Sequence, residues 1–160
     1  MNDTKNIKSD FDNINFSENA LKKARKFITK KEGFEENAYQ DTGGIWTIGY
    51  GHTKNVKQGD KITKEEAEKL YKEDFEKHIK PLKKVKIPLS DNQKVALASF
   101  IYNVGPTAFE NSTLLKKLNK GDIKGASEEF DKWIYDNGVI SNGLKNRRKE
   151  EKELFLTQDE

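Results

Sequence analysis

The sequence contains no cysteine, which excludes disulfide bonds, thiolate metal sites and a cysteine nucleophile. It also lacks any apolar run near the roughly 20 residues that a membrane-spanning helix needs. The first 16 residues have neither the apolar core nor the small-residue cleavage site of a secretory signal. Only two histidines are present, far apart in the sequence, so no metal-ligand set is recognisable. We therefore expect no metal, no cofactor and no insertion into a membrane.

A large excess of charge of one sign is missing as well. The 160 residues carry 30 basic and 27 acidic side chains, a net charge of +3, and the pI is near 8.8. A mildly basic protein suits an anionic polymer such as a bacterial cell wall. Nucleic acid is a weaker candidate because basic and acidic residues alternate along the predicted helices. We expect a soluble, monomeric protein that does not bind nucleic acid.

The chain divides into a short polar tail and one domain. Residues 1–16 are rich in Asn, Asp and Lys, so we expect a flexible or loosely docked tail. Residues 17–160 contain no internal repeat and no Pro- or Ser-rich linker, and their length suits a single domain.

The hydrophobic pattern predicts an α+β fold that is mainly helical. Residues 38–53 are rich in strand-forming residues punctuated by glycines, which predicts a small antiparallel sheet. Helical periodicity precedes and follows this segment, and the stretch from Val95 to Ile101 reads as the most buried helix. Helix starts and turns are marked by further signals, namely Ser17, Thr63 with Glu66, Ser90 with Gln93, Asp122, and the turn 136–138.

Two acids in the segment 32–53 could perform glycoside chemistry. Glu32 lies at the end of an amphipathic helix, Asp41 follows after eight residues, and Thr47 after five more. Glycoside hydrolysis needs one neutral acid to protonate the leaving oxygen and one carboxylate on the other face of the sugar. The spacing alone is weak support, because most of the 27 acids must be surface charges. Thr47 equally suits any half-buried strand.

The same residues carry a resemblance to a known family. A resemblance to the phage-type lysozymes, the endolysins of glycoside hydrolase family 24, is seen in the segments EGF and AYQDTGGIWTIGYGHT. The spacing of Glu32, Asp41 and Thr47 is part of this resemblance. ALASFIYNVGPTAFENSTLLKKLNKGD resembles the central helical region of that family, and WIYDNGVISNGLKNRRKEEKELFL its C-terminal region. The likeness runs from about Leu21 to Leu156. It implies a lysozyme-like fold, with a sheet lobe, a helical lobe and a cleft between them.

The resemblance implies roles for these three residues. Glu32 resembles the general acid, Asp41 the carboxylate that stabilises developing positive charge and positions water, and Thr47 the residue that holds that water. The water-holding role implies inversion of the anomeric carbon.

Further residues around the site are singled out with it. The family places sugar-binding groups near the break after the buried helix, which makes Tyr102, Asn111 and Ser112 candidates for glycan contact. Helix capping and turn formation are equally open for Asn111 and Ser112. His52 reads as a structural hydrogen-bonding residue and His78 as exposed. By the same resemblance, Arg147 and Arg148 are expected to pair with internal acids.

The resulting hypothesis is a muramidase that hydrolyses the β-1,4 bond between N-acetylmuramic acid and N-acetylglucosamine in peptidoglycan glycan strands. Such an endolysin would collect in the host cytoplasm before release to the wall. Two alternatives remain: a lytic transglycosylase on the same fold, and a wall-binding module without activity.

Overall fold

The structure, a computed structural model, describes residues 12–159. Within this range the chain forms α-helices, two short 3₁₀ turns and two β-hairpins. None of these helices combines the length and the apolar character needed to cross a bilayer. The elements in chain order are α1 (Glu18–Glu32), β1 (Glu35–Gln40), β2 (Trp46–Gly49), α2 (Lys64–His78), a 3₁₀ turn (Lys80–Lys84), α3 (Asp91–Val104), α4 (Pro106–Glu110), α5 (Thr113–Asn119), α6 (Ile123–Glu129), a second 3₁₀ turn (Phe130–Lys132), β3 (Tyr135–Asp136), β4 (Val139–Ile140) and α7 (Asn142–Phe155).

The helices begin at the predicted capping residues. The Ser17 hydroxyl accepts a hydrogen bond from the Ala20 amide at 3.0 Å, which satisfies one of the free donors in the first turn of α1. Complete capping boxes open α2 at Thr63 and α3 at Ser90. These capping side chains define the first residue of each of the three helices. The number of helical residues between each cap and the site is thereby defined as well.

Helix α3 is the centre of the fold. Nine of its 14 side chains are buried, and it packs directly against α1 and α7. Because the apolar residues of α3 surround the helix rather than forming one stripe, other helices must cover it on several sides. The prediction of a buried helix here is confirmed, and α3 contacts both α1, which ends at Glu32, and α7, which carries Arg147.

The β1–β2 hairpin forms the small lobe. The strands are antiparallel, with Tyr39 opposite Thr47 and Gln40 opposite Trp46. This confirms the predicted small sheet, and with the helices it confirms the α+β, mainly helical fold class. Strand β1 begins directly after the end of α1, so the helix end and the hairpin form one local unit.

A second hairpin was predicted only as a turn. Strands β3 and β4 pair as Tyr135 with Ile140 and Asp136 with Val139 around the two-residue turn Asn137-Gly138. Both turn residues have positive φ, 51° and 80°, as hairpin turns of this length require. Each strand has only two residues, which is too short for an alternating pattern to be visible in the sequence.

Part of the segment that was expected to be a tail, residues 12–16, packs on the domain. Residues 1–11 lie outside the described residues, but 12–16 are docked on the domain. The buried Asn13 side chain donates to the carbonyls of Val85 and Ile87 at 3.1 and 2.9 Å, and accepts from the Leu89 amide at 3.2 Å. Ile14 and Phe16 pack against the core. The domain therefore includes Asn13, whose side chain hydrogen-bonds to the backbone of the loop before α3.

Replacing Asn13 by alanine should lower stability by about 1–3 kcal/mol, because three backbone groups lose a buried partner. Asn15→Ala is the matched control, since Asn15 is exposed and its side chain bonds only Asp12, three residues earlier. Urea unfolding of both variants measures the difference. Equal stability of the two would show that residues 12–16 are not part of the folded unit.

Candidate active site

Glu32 is the last residue of α1, and its carboxylate is held on two sides. Gly33, with φ of 73°, ends the helix immediately after it. The Arg147 guanidinium donates from Nη1 to Oε2 at 2.6 Å, and the Glu32 side chain is only 17% exposed. The other oxygen, Oε1, lies against Gly51, where a Cβ atom would stand 2.6 Å from it. One carboxylate oxygen is thus occupied by Arg147, and the other lies beside Gly51.

Asp41 follows β1 and organises the turn of the hairpin. Its Oδ1 atom accepts hydrogen bonds from the amides of Gly43 and Ile45 at 2.9 and 2.8 Å. The Asp41 residue remains exposed. Since the turn uses only one carboxylate oxygen, the side chain is fixed in direction while the carboxylate stays accessible from the cleft.

Thr47 lies on β2, opposite Tyr39, and is 5% exposed. Its hydroxyl donates to the Ile45 carbonyl at 3.0 Å. With the proton of the hydroxyl used in this way, the lone pairs of Oγ1 stay available to accept a hydrogen bond.

The structure brings Glu32, Asp41 and Thr47 into the wall of one cavity of about 510 Å³. This volume lies within the range of ordinary ligand sites. Helix α1, the β1–β2 hairpin, the end of α2 and the end of α3 all contribute to the wall. The other lining residues are Tyr39, Gly51, Thr53, Lys54, Asp74, Lys77, His78, Tyr102, Asn103, Val104 and Gly105.

Glu32 is linked to a buried cluster of one acid, Glu151, and two arginines, Arg147 and Arg148. Arg147 also donates from Nε to Glu151 at 3.2 Å and from Nη2 to the Ser99 carbonyl at 3.1 Å, and Ser99 donates to Glu151 at 2.6 Å. Arg148 lies 3.0 Å from Glu151, and both are fully buried. The expected pairing of Arg147 and Arg148 with internal acids is confirmed.

Burial sets the protonation energetics of this cluster. It raises the pKa of Glu151, against the opposing charges of Arg148 and Arg147. It lowers the pKa of Arg148 to about 10, which still leaves the guanidinium charged at neutral pH. Each buried guanidinium group has an acidic partner, which is the condition for keeping it in the interior.

Two cavity residues were not predicted as part of the site. Tyr39 is 39% exposed, and burial, followed by the nearby charge of Glu32, raises the pKa of its hydroxyl, which therefore stays protonated as a donor. His78 was expected to be exposed. Instead its ring stacks on Tyr102 with centroids 5.0 Å apart, and its Nδ1 atom donates to the Asp74 carbonyl at 2.6 Å. Helical periodicity could not show this, because α2 ends at the cleft.

His52 makes two hydrogen bonds that hold the hairpin on α2. Its Nδ1 atom lies 2.8 Å from the Asp74 carboxylate and its Nε2 atom 2.9 Å from the Lys54 carbonyl. Both partners are acceptors, so each ring nitrogen of His52 faces an oxygen atom. These contacts give His52 a structural position beside the site.

The candidate sugar-binding residues separate in the structure. Tyr102 lines the cavity, where its hydroxyl donates to the Tyr50 carbonyl at 2.9 Å. Ser112 caps α5 through the Leu115 amide, and Asn111 donates to the Thr107 carbonyl. Neither Asn111 nor Ser112 lines this cavity or the second one described next. For these two residues the structure gives the capping and turn roles that the sequence left open.

A second cavity, of about 780 Å³, continues the cleft and shares Asp41, Asn103 and Val104 with the first. Two hydrogen bonds join the hairpins beside it. The Thr42 hydroxyl donates to Asp136 at 2.8 Å, and the Asn137 amide donates to the Thr42 carbonyl at 2.9 Å. The two cavities together form a groove suited to an extended polymer. Within residues 12–159, no group of three or more His, Asp or Glu side chains is arranged to hold a metal ion.

The sequence was compared with protein families and with known proteins, and the matches are phage lysozymes and endolysins. The sequence profile of the family described as Phage lysozyme matches residues 29–151. An endolysin of Acyrthosiphon pisum secondary endosymbiont phage 1 is 47% identical over 133 residues, covering 80% of this chain and 91% of the relative. A SAR-endolysin of Enterobacteria phage P21 is 41% identical over 129 residues, covering 78% and 77%.

Solved structures give the same result. The endolysin of Escherichia coli O157:H7 phage FAHEc1 superimposes with a TM-score of 0.76 at 40% identity, covering 89% of this chain and 93% of that one. The muramidase domain of SpmX from Asticaccaulis excentricus gives a TM-score of 0.78 at 34% identity, covering 90% and 99%. The chain belongs to the phage lysozyme family, a family of glycoside hydrolases that act on the cell wall.

Proposed function

We propose that the protein hydrolyses the β-1,4 bond between N-acetylmuramic acid and N-acetylglucosamine in peptidoglycan, with Glu32 as the general acid and with Asp41 and Thr47 positioning water. The observation that carries this proposal is the convergence of these three side chains on one cavity. An acid on a helix end and a carboxylate on a hairpin turn can act on different sides of a sugar ring. Before its release to the wall, the enzyme is proposed to be cytoplasmic and monomeric.

The contacts of Glu32 support the assignment of one of its oxygens as the proton carrier of the proposed acid. Arg147 donates to Oε2, which favours an unprotonated acceptor at that atom. The proton of the neutral acid therefore belongs on Oε1, the oxygen beside Gly51 in the cavity wall. From there it can pass to the glycosidic oxygen as the bond to the anomeric carbon breaks.

Two residues of the β1–β2 hairpin are proposed to hold and activate the attacking water. The Asp41 carboxylate stabilises positive charge on the ring and accepts a proton from the water. Oγ1 of Thr47 accepts a hydrogen bond from the same water, because the proton of the hydroxyl is already donated to Ile45. A water held in this way attacks the face opposite the leaving group and inverts the anomeric carbon.

Thr47→Val should slow hydrolysis about 10-fold or more, because the isosteric side chain keeps the strand but cannot bind the water. The measurement is release of reducing ends from purified peptidoglycan, with early-time NMR of the anomeric configuration. Thr53→Val is the control, since Thr53 also lines the cavity but has no assigned role in water attack.

Wild-type products should carry free reducing ends with inverted configuration. A lytic transglycosylase would release anhydro sugars instead, because a hydroxyl of the muramic acid replaces water. Mass spectrometry separates the two products by the mass of one water. Predominantly anhydro products would refute the hydrolase mechanism and leave the fold and the role of Glu32 unchanged.

A further inference from the structure

Asn103 is placed at the junction of the two cavities. It lies in the last turn of α3, is exposed, and contributes to the wall of both cavities. Asp41 and Val104 are the other residues shared by the two walls. A glycan that runs along the groove must therefore pass Asn103 close to the site of cleavage.

A hydrogen bond from the buried Arg148 side chain determines the orientation of the Asn103 side-chain amide. The guanidinium donates from Nη2 to Oδ1 of Asn103 at 2.6 Å, the only hydrogen bond that Arg148 donates within residues 12–159. Arginine is always a donor, so the amide oxygen must face it. Rotating the amide by 180° would bring its NH₂ group against the guanidinium and leave that buried donor without an acceptor.

Arg148 cannot easily move to follow such a rotation. It is completely buried, lies 3.0 Å from Glu151, and stacks over the ring of Phe100 with 5.1 Å between the guanidinium carbon and the ring centroid. Because this buried support is rigid, the NH₂ group of Asn103 is held on the side away from Arg148. Within the described residues, no side-chain or backbone acceptor bonds to it.

We propose that Asn103 is a glycan-recognition residue whose amide nitrogen donates a hydrogen bond to an uncharged oxygen of the sugar, with Arg148 as the residue that orients it. Sugars offer such oxygens as acetamido carbonyls, hydroxyls and ring oxygens. A carboxamide donor suits them because it adds no charge beside Glu32 and Asp41. The inference rests on the proposed course of the glycan along the groove.

Asn103→Asp tests the donor directly. The variant keeps an oxygen facing Arg148 but removes both N–H donors, so the fold is retained while recognition is lost. We expect KM for soluble peptidoglycan fragments to rise about 5- to 10-fold, the effect of one lost neutral hydrogen bond. The melting temperature should be equal to or above that of the wild type. If Asn103 served only to satisfy Arg148, Asn103→Asp would keep the wild-type KM, and this result would overturn the proposal.

Two further variants separate the donor from the added charge. Asn103→Leu is neutral and lacks both groups, so it should show the same rise in KM together with a lower melting temperature, because Arg148 loses its acceptor. Should Asn103→Leu not fold, Asn103→Asp alone decides. Asn37→Asp adds the same charge at an exposed position outside both cavities and should leave KM unchanged. A rise in KM for Asn37→Asp equal to that for Asn103→Asp would refute the proposal.

The readout is independent of the catalytic assignment. Asn103 variants are judged by KM at nearly unchanged kcat, whereas the assignment of Glu32 is judged by loss of kcat. Failure of one therefore does not imply failure of the other.

Discussion

Glu32→Gln should fold normally and lose about 100-fold or more of its lytic turnover. The amide cannot donate the proton that the leaving oxygen requires, and general acid catalysis contributes about 10²–10⁴-fold. The Arg147 guanidinium keeps an acceptor in the glutamine oxygen, and it retains Glu151 and Ser99 as partners. We therefore expect the melting temperature to fall by no more than about 4 °C. Clearing of purified peptidoglycan and a thermal melt measure both quantities.

Glu36→Gln is the matched control, since Glu36 lies on the same local unit, is exposed and lines neither cavity. It should keep wild-type turnover. If Glu32→Gln clears walls at more than a tenth of the wild-type rate, the general acid is another group. A large loss of stability with turnover retained would make Glu32 a structural ion-pair residue, and complete loss of binding to walls would favour the non-catalytic alternative.

Gly51→Ala should reduce turnover about 10- to 100-fold although no catalytic side chain is substituted. A Cβ atom at Gly51 would stand 2.6 Å from Oε1 of Glu32 and 3.3 Å from its carboxyl carbon. The carboxyl group must shift, and a displacement of about 1 Å at a reacting group can cost 100-fold in rate. Because the obstructing atoms are the end of a side chain, the fold can accommodate the methyl group at the expense of the position of the acid. Initial rates of peptidoglycan hydrolysis measure the effect.

Backbone strain must be separated from this displacement. Gly51 has φ of 80°, where alanine costs about 1–2 kcal/mol. Gly59→Ala shares that cost, with φ of 90°, but a Cβ there meets nothing within 4 Å. The two variants should lose similar stability, while only Gly51→Ala loses turnover. Equal turnover in both would mean that the position of Oε1 is not critical, contrary to its proposed role as the proton carrier.

The local parts of the site were accessible from the sequence. Glu32, Asp41 and Thr47 lie within one helix end and one hairpin, so the family resemblance of this one short segment was enough to single them out. The capping residues of α1, α2 and α3 were equally readable, because capping depends on side chains three residues apart. Such features depend on short-range geometry.

The parts that depend on tertiary packing were not accessible. Nothing in the sequence around Asn13 shows that its side-chain amide will hydrogen-bond to the backbone of the loop near Val85. His78 was read as exposed because its helix is highly charged, yet α2 ends where its last turn meets Tyr102. The orientation of Asn103 depends on Arg148, 45 residues later. Each of these contacts joins elements whose packing no local pattern specifies.

The pairing of Glu32 with Arg147 also has a consequence for biosynthesis. The acid belongs to the first described helix, and its cation, 115 residues later, belongs to the last. A nascent chain on the ribosome therefore has Glu32, Asp41 and Thr47 well before it has the guanidinium that holds the acid in place. The site is completed only when α7 places Arg147 beside Glu32, so the segment from α1 to β2 does not hold the acid in its final position by itself.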